Sequence, residues 1–242
     1  MNKNVANREC IDVVLVNYAT KKPFLNIDFA NVTTTDMTAN RVYARGGQGA
    51  PIRVVFDGEK TGTMKLDTQI TPMKLFAMLA GSDITSVAEV LKREEVTLTG
   101  GKLTVARAPL PGSVYVYPYE DDCGEAEEIT VAGEEITLTG GTDGDTYIVY
   151  YLMEKTSGVS TVNFNSKKFP RDYIVYGETV YKDEEGGDPL PMLLKAYKAS
   201  PQTAFSLALS NTGDPSTLSI TFDLMADKNG DMLDMNLIEE DD

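Results

Sequence analysis

The amino-acid sequence predicts a mainly β protein with one α-helix and a small β-sandwich inserted in the middle of the chain. Three features predict it. Near the C-terminus, Phe205-Ser206-Leu207-Ala208-Leu209-Ser210 and Leu218-Ser219-Ile220-Thr221-Phe222-Asp223-Leu224 alternate large apolar residues with small or polar ones, the period-two pattern of a half-buried strand. Between about 99 and 155, short β runs are separated by turn signals at Pro111-Gly112, Ala132-Gly133 and 140–144, the texture of a small sandwich. One segment, 71–81, has the start, stop and apolar content of a helix.

From the N-terminus, 11–18 (IDVVLVNY) reads as a strand paired with 24–34 (FLNIDFANVTT) across Lys21-Lys22-Pro23. A long connection, 36–51, follows. Its Arg41-Val42-Tyr43-Ala44-Arg45 and Gly46-Gly47-Gln48-Gly49 show no core-forming period, and structureless connections of that length are usually functional or disordered. Residues 52–56 and 61–69 are expected as a hairpin across Asp57-Gly58-Glu59-Lys60. On its second strand Met64 and Leu66 share one face, and Thr63, Lys65, Asp67 and Gln69 the other. Thr71 can cap the helix, Pro72 suits its first position and Gly81 its end. Met73, Leu75, Phe76, Met78 and Leu79 make that helix apolar almost all round, which places it deep against a sheet or in a subunit interface. Residues 84–95 fit helix or strand, with a strand running into Val96-Thr97-Leu98 favoured.

In the insertion, strands are expected at 102–106, 113–119, 127–131, 134–139 and 145–152, and VTLTGG (96–101) echoes ITLTGG (136–141). Glu120, Asp121, Asp122, Glu125, Glu127, Glu128, Glu134 and Glu135 crowd it, so it should face outward. Strands at 173–181 and 190–199 follow, around a polar turn at 183–188, and then the C-terminal pair across Asn211-Thr212-Gly213-Asp214-Pro215. Glu239-Glu240-Asp241-Asp242 reads as a frayed, solvated tail. The pair 205–210 and 218–224 carries Ser206, Ala208, Ser210, Ser219, Thr221 and Asp223 on its wet face, where long charged side chains are the norm. That suits a wall along which something slides; an ordinary half-buried hairpin is the plainer reading.

Composition excludes several functions. Hydrophobic residues are 42% and charged residues 24%, enough for a real core and against global disorder. No apolar run is long enough to span a bilayer, and MNKNVANREC lacks a signal-peptide core, so a soluble protein made in a cytosol is expected. Cys10 and Cys123 are the only cysteines and are read as reduced. The net charge of -15 opposes tight nucleic-acid binding, but not a nucleic acid passing without sticking. With no His, Ser–His–Asp and Cys–His mechanisms are impossible within the chain. Carboxylates abound, but without Trp for sugar stacking or any groove signature no enzyme, catalytic residue or cofactor is expected. Asp227-Lys228-Asn229-Gly230-Asp231 resembles the start of a calcium loop but has Met232 and Ile238 where Gly and Glu are required, so it is read as a turn with no metal. Gly46-Gly47-Gln48-Gly49 lacks the Lys-Ser/Thr of a phosphate loop. Flanked by Arg41, Arg45 and Arg53 in an acidic chain, it reads equally well as a contact arm for another subunit or as a mobile surface loop.

Segment 44–81, ARGGQGAPIRVVFDGEKTGTMKLDTQITPMKLFAMLAG, resembles the tail tube, or major tail, proteins of long-tailed bacteriophages: a long loop, a hairpin of the form DG-x-x-TGT, and TQI-x-P opening a short helix. The ending GDPSTLSITFDLMADKNGDMLDM (213–235) is similar to their closing strands. The resemblance implies a tail-tube-type β-sandwich or half-barrel with one flanking α-helix, formed by 1–98 and 156–242, with an Ig-like insertion at 99–155. It implies homo-hexameric rings that stack into a non-adhesive conduit for DNA and tape-measure protein in the virion tail, assembled in the host cytoplasm, with a sheath protein as a further partner left open and no membrane. Carried onto these residues, the lumen would be lined by Thr63, Lys65, Asp67, Gln69, Ser206, Ala208, Ser210, Ser219, Thr221 and Asp223. The 38–51 loop, with Arg41, Tyr43, Arg45, Gly46, Gly47, Gln48 and Gly49, would reach the next ring. The 72–80 helix, with Met73, Leu75, Phe76 and Leu79, would sit in a core or interface. Small polar residues give phosphates no cation cluster to grip, and acidic walls repel duplex within about 8 Å at physiological salt. Lys65 dissents: it pairs with Asp67 or a neighbouring strand, or the face is inverted there. The alternative is a virion surface or decoration protein whose Ig-like part touches host glycans.

Overall fold

The computed structural model describes residues 4–184 and 189–238. The chain divides into two units, one built from 1–83 with 162–242 and one from 84–161. The first opens with β1 (Val5–Asn7), β2 (Asp12–Asn17) and β3 (Pro23–Ile27). Val13 and Leu15 of β2 are buried while their neighbours are not, the alternation of a sheet with one dry face. The expected strand 24–34 splits at Asp28-Phe29. β3 pairs with β2, but β4 (Ala30–Arg45) turns away to pair with β5 (Ile52–Thr68).

β4 and β5 correct two expectations. Residues 36–45 are strand, and the connection is only the 46–51 turn, where the Gly46 N–H donates to the Pro51 carbonyl (3.2 Å) and the Ala50 N–H to the Gly47 carbonyl (3.0 Å). Nor is Asp57-Gly58-Glu59-Lys60 a hairpin turn, because β5 runs straight through it. Gly58 and Glu59 lie opposite the single residue Asn40, between the pairs Ala39↔Lys60 and Arg41↔Asp57. This is a β-bulge, and a Cβ on Gly58 would come within 3.2 Å of the Asn40 carbonyl oxygen. A bulge and a tight turn ask for the same residue, one that lets backbone approach backbone.

Helix α1 (Met73–Ala80) buries Leu75, Met78 and Leu79 in the core of the large sheet; Phe76 packs against it half-buried, and Met73 stays exposed. Thr71 does not cap it. The helix starts at Met73, the cap position falls to Pro72, and the Leu75 N–H donates to the Pro72 carbonyl (2.9 Å). At the other end Gly81 is left-handed (φ 60°). Its N–H donates to the Met78 carbonyl (3.2 Å) and that of Ser82 to Ala77 (3.1 Å), a Schellman closure.

The second unit holds β6 (Ala88–Thr97), β7 (Lys102–Thr104), β8 (Tyr115–Pro118), a 3-10 turn (Tyr119–Asp121), β9 (Ile129–Ala132), β10 (Glu135–Leu138) and β11 (Thr146–Lys155). They form two three-stranded antiparallel sheets, β6-β11-β8 and β7-β10-β9. Leu98, Leu103, Val116, Ile136, Val149 and Tyr151 from both make one buried cluster. The ambiguous 84–95 segment is strand from Ala88 onward, and it belongs with this unit and not with 1–83. Ten consecutive pairs, from Thr97↔Thr146 to Ala88↔Lys155, tie β6 to β11.

β12 (Tyr173–Asp183), β13 (Leu190–Pro201), β14 (Leu218–Met225) and β15 (Leu233–Leu237) complete the first unit. Its sheet runs β3-β2-β12-β13-β14-β5-β4, with β1 added to β12 and β15 to β13. One face is dry: Val13, Leu15, Leu66, Val175, Ile220 and Phe222 pack with α1. The alternating 205–210 segment is not a strand, and Leu207 and Leu209 are 51% and 84% exposed. On β14, β5 fills one edge from Leu218 to Leu224 and β13 pairs with the other only from Phe222 to Met225, and the 205–210 segment joins neither ladder. The 185–188 part of the polar turn and the 239–242 tail lie outside the described residues.

A Cβ on Gly81 would stand 2.1 Å from the Phe169 carbonyl oxygen, in a backbone conformation that L-residues avoid. Gly81→Ala is therefore expected to destabilise the first unit by about 1–3 kcal/mol, read as a lower urea midpoint.

Candidate functional site: a small-polar sheet face and a projecting arm

On β5, Met64, Leu66 and Thr68 turn into the core, so Thr63, Lys65 and Asp67 point to the opposite face. On β14, Leu218, Ile220, Phe222 and Leu224 are buried, and Ser219, Thr221 and Asp223 point the other way. The register brings the two sets into direct pairs: Asp67↔Ser219, Lys65↔Thr221 and Thr63↔Asp223. β4 extends the surface, because Val32, Thr34 and Asp36 stand opposite Asp67, Lys65 and Thr63. Gln202 closes the other side, donating from Nε2 to Asp223 (2.8 Å). Apart from Val32 and the Gln202 amide, the face is hydroxyls, three carboxylates and one ammonium.

That ammonium is not free. Lys65 Nζ lies 3.0 Å from Asp67 Oδ2, and the Ser219 hydroxyl donates to Asp67 Oδ1. Burial pushes the Asp67 carboxyl up, but the Ser219 hydrogen bond and Lys65 outweigh it and hold the group below the usual carboxylate range. Lys65 therefore belongs on this face, paired as one of the three expectations had it.

The structure brings six of the ten residues expected on the wall together: Thr63, Lys65, Asp67, Ser219, Thr221 and Asp223. Gln69 is exposed just beyond β5. Ser206, Ala208 and Ser210 are exposed on the irregular 203–217 segment, not on the sheet; only Phe205 is anchored there, against Phe76 (6.2 Å between ring centres) and Phe164 (5.3 Å). Thr34 and Asp36 were missed, though the period-two run Val32-Thr34-Asp36 carried the signal.

β14 pairs with β5 only from Gly62 to Thr68. Beyond that, 38–61 form a two-stranded arm roughly 25 Å long at about 3.3 Å per residue. Its pairs Val42↔Phe56 and Ala44↔Val54 share one face, and Tyr43↔Val55 stands on the other. Val42, Val54 and Phe56 are 61%, 48% and 58% exposed. Of the arm's cations, Arg41 pairs with Asp57 (2.8 Å), Arg53 Nε donates to the Gly46 carbonyl (3.2 Å), and Arg45 reaches the Ala50 carbonyl (3.5 Å). Arg41, Tyr43 and Arg45 thus sit on strand, and Gly46, Gly47, Gln48 and Gly49 form the tip, where Gly47 and Gly49 have φ of 90° and 83°.

Because its native pKa is depressed, Asp67 contributes stability that is present above its unfolded value near 4 and lost as pH falls through the native one. Asp67→Asn should cost about 1 kcal/mol at pH 7 and less at pH 3, read from urea midpoints at the two pH values.

No curated protein matches the chain. A family model does match it, over residues 8–235, which takes in the small-polar face, the arm and the whole second unit. The chain belongs to the YomU/Tube protein family.

Proposed function

We propose that this chain is the structural subunit of a phage tail tube, with six copies per ring and the β5–β14 face turned to the bore. The observation that carries it is the pairing of a wide one-sided sheet with a wet face of small polar side chains. Thr63, Asp67, Ser219, Thr221 and Asp223 offer phosphates hydroxyls and like charge, and the one cation among them, Lys65, is held by Asp67. With Asp36 the face carries a surplus of carboxylates, so duplex DNA and an extended tape-measure protein could pass without a grip.

The sheet ends at β3 and β4, with no further strand on those edges among the described residues. Joining such edges between neighbouring copies removes open edges that otherwise invite aggregation. The arm supplies the longitudinal contact. An isolated two-stranded ribbon is marginal in water, and this one shows Val54 and Phe56 to solvent, so a neighbouring ring is its natural cover. Placement in the virion tail, after assembly in the host cytoplasm, follows from that role. Among the described residues no helix is long and apolar enough to cross a membrane.

Negative-stain electron microscopy of the purified chain tests the reading: rings or hollow filaments are expected, and a monomer under every condition of salt and concentration would overturn it. The double substitution Val54→Glu and Phe56→Glu should leave the melting temperature within a few degrees, since neither side chain touches the core cluster. It should abolish filaments while sparing single rings, seen by the same imaging.

A further inference from the structure

The second unit, 84–161, contains five Lys and Arg against fourteen Asp and Glu. Two of the five cations are neutralised locally. Arg93 bridges Glu95 and Asp122, both at 3.0 Å, and Lys102 bridges Glu135 at 2.6 Å. The other three, Lys92, Arg107 and Lys155, make no ion pair among the described residues, and all three border one groove of about 400 Å³. Its apolar lining is Val90, Met153 and Val159. The carboxylate within it is already engaged: Glu94 accepts from the Tyr151 hydroxyl (2.8 Å) and the Ala106 N–H (3.0 Å). In a unit where carboxylates outnumber cations almost threefold, the unpartnered cations have converged on one place.

We propose that this groove binds an acidic, extended peptide segment of a partner protein. Charge decides the sign of the ligand, and the fourteen carboxylates restrict it to the groove by repelling it elsewhere on the unit. Two further features select a peptide. β6 is bonded to β11 on one edge and, among the described residues, to no strand on the other, so it offers unpaired N–H and C=O groups to an added strand. Successive side chains of a strand laid there point to opposite faces: one row of carboxylates faces Lys92, Arg107 and Lys155, and the alternate apolar row meets Leu91, which is exposed on the other face of β6. A sugar would look for an open aromatic face, but Tyr151 is fully buried beneath the groove. A nucleic acid would meet three cations amid many more carboxylates, too few to hold a phosphate backbone.

The inference does not depend on the tube reading, and its test uses the dispersed full-length chain, so either can fail without the other. The probe is a fluorescein-labelled synthetic peptide of alternating Glu and Leu, followed by fluorescence anisotropy. Saturable binding is expected, weakened at least tenfold on going from roughly 0.1 to 1 M salt. The double substitution Lys92→Gln and Arg107→Gln should weaken it at least tenfold, whereas Lys102→Gln, outside the groove, should not. Carbodiimide coupling of the peptide to the unsubstituted chain should map to Lys92 and Lys155 by mass spectrometry, a readout independent of how any variant folds. Absence of saturable binding, equal binding by the double variant, coupling at other lysines, or stronger competition by a carboxylated polysaccharide than by unlabelled peptide would each overturn the proposal.

Discussion

The first unit depends on one dry face. Leu218, Ile220, Phe222 and Leu224 of β14 lie beside Met64 and Leu66 of β5, under Leu75, Met78 and Leu79 of α1. Each of those side chains contributes about 1.5–3 kcal/mol by leaving water. A one-residue slip of β14 would turn all four of its apolar residues outward. The Lys65–Asp67 pair on the opposite face is half open to solvent and contributes about 0–1 kcal/mol. Register is therefore set from inside, by a margin that no wet-face contact can challenge. This leaves Thr63, Thr221 and Asp223 free to be whatever the exterior requires, and what they are is small and uncharged or acidic.

The same sheet explains the arm. β5 has two lives: from Gly62 onward it sits between β14 and β4, and before that it has only β4. Where the dry face ends, so does the burial pattern, and both sides of the ribbon become exposed. The bulge at Gly58-Glu59 marks this change of neighbourhood. It lies on the ribbon side of the junction, where an extra residue bends the strand and adds twist without breaking a three-strand ladder. What holds the arm is its backbone pairing, and what it leaves open to water is the apolar row Val42, Val54 and Phe56.

Elements whose pattern is enforced by burial could be read from the sequence. The second half of β5, β14, the helix with its Gly81 stop, and the short strands of the second unit all appear where period two, period 3.6 or turn chemistry places them. The misreadings share one cause, a local pattern whose meaning depends on who stands next to it. Phe205 to Ser210 alternates as well as β14 does, yet of its large apolar residues only Phe205 packs on the core, and Leu207 and Leu209 stay in water. Asp57-Gly58 is as good a turn as any, yet its flanking strands are one strand, stitched to β4 on both sides of the bulge. Arg41 to Arg45 lacks a core-facing stripe because it pairs without a core. For the same reason the small-polar face could be read on β5 and β14, where the opposite face is buried, but not at Thr34 and Asp36 on the edge strand, where both faces are nearly open.

The second unit shows why such a sheet tolerates an insertion. Its chain ends meet in a single antiparallel bridge, Thr85↔Thr161, with both backbone hydrogen bonds made at 3.0 and 2.8 Å. The first unit therefore sees the insertion as a loop whose ends are already closed. The entropy of closing a loop grows only with the logarithm of its length, and a folded insertion closes its own. The cluster around Val149 and Tyr151 is separate from the cluster around Phe222, so substitutions in one need not disturb the other. A protein built this way can vary the charge and grooves of one unit while the sheet of the other stays under the constraints of its own buried face.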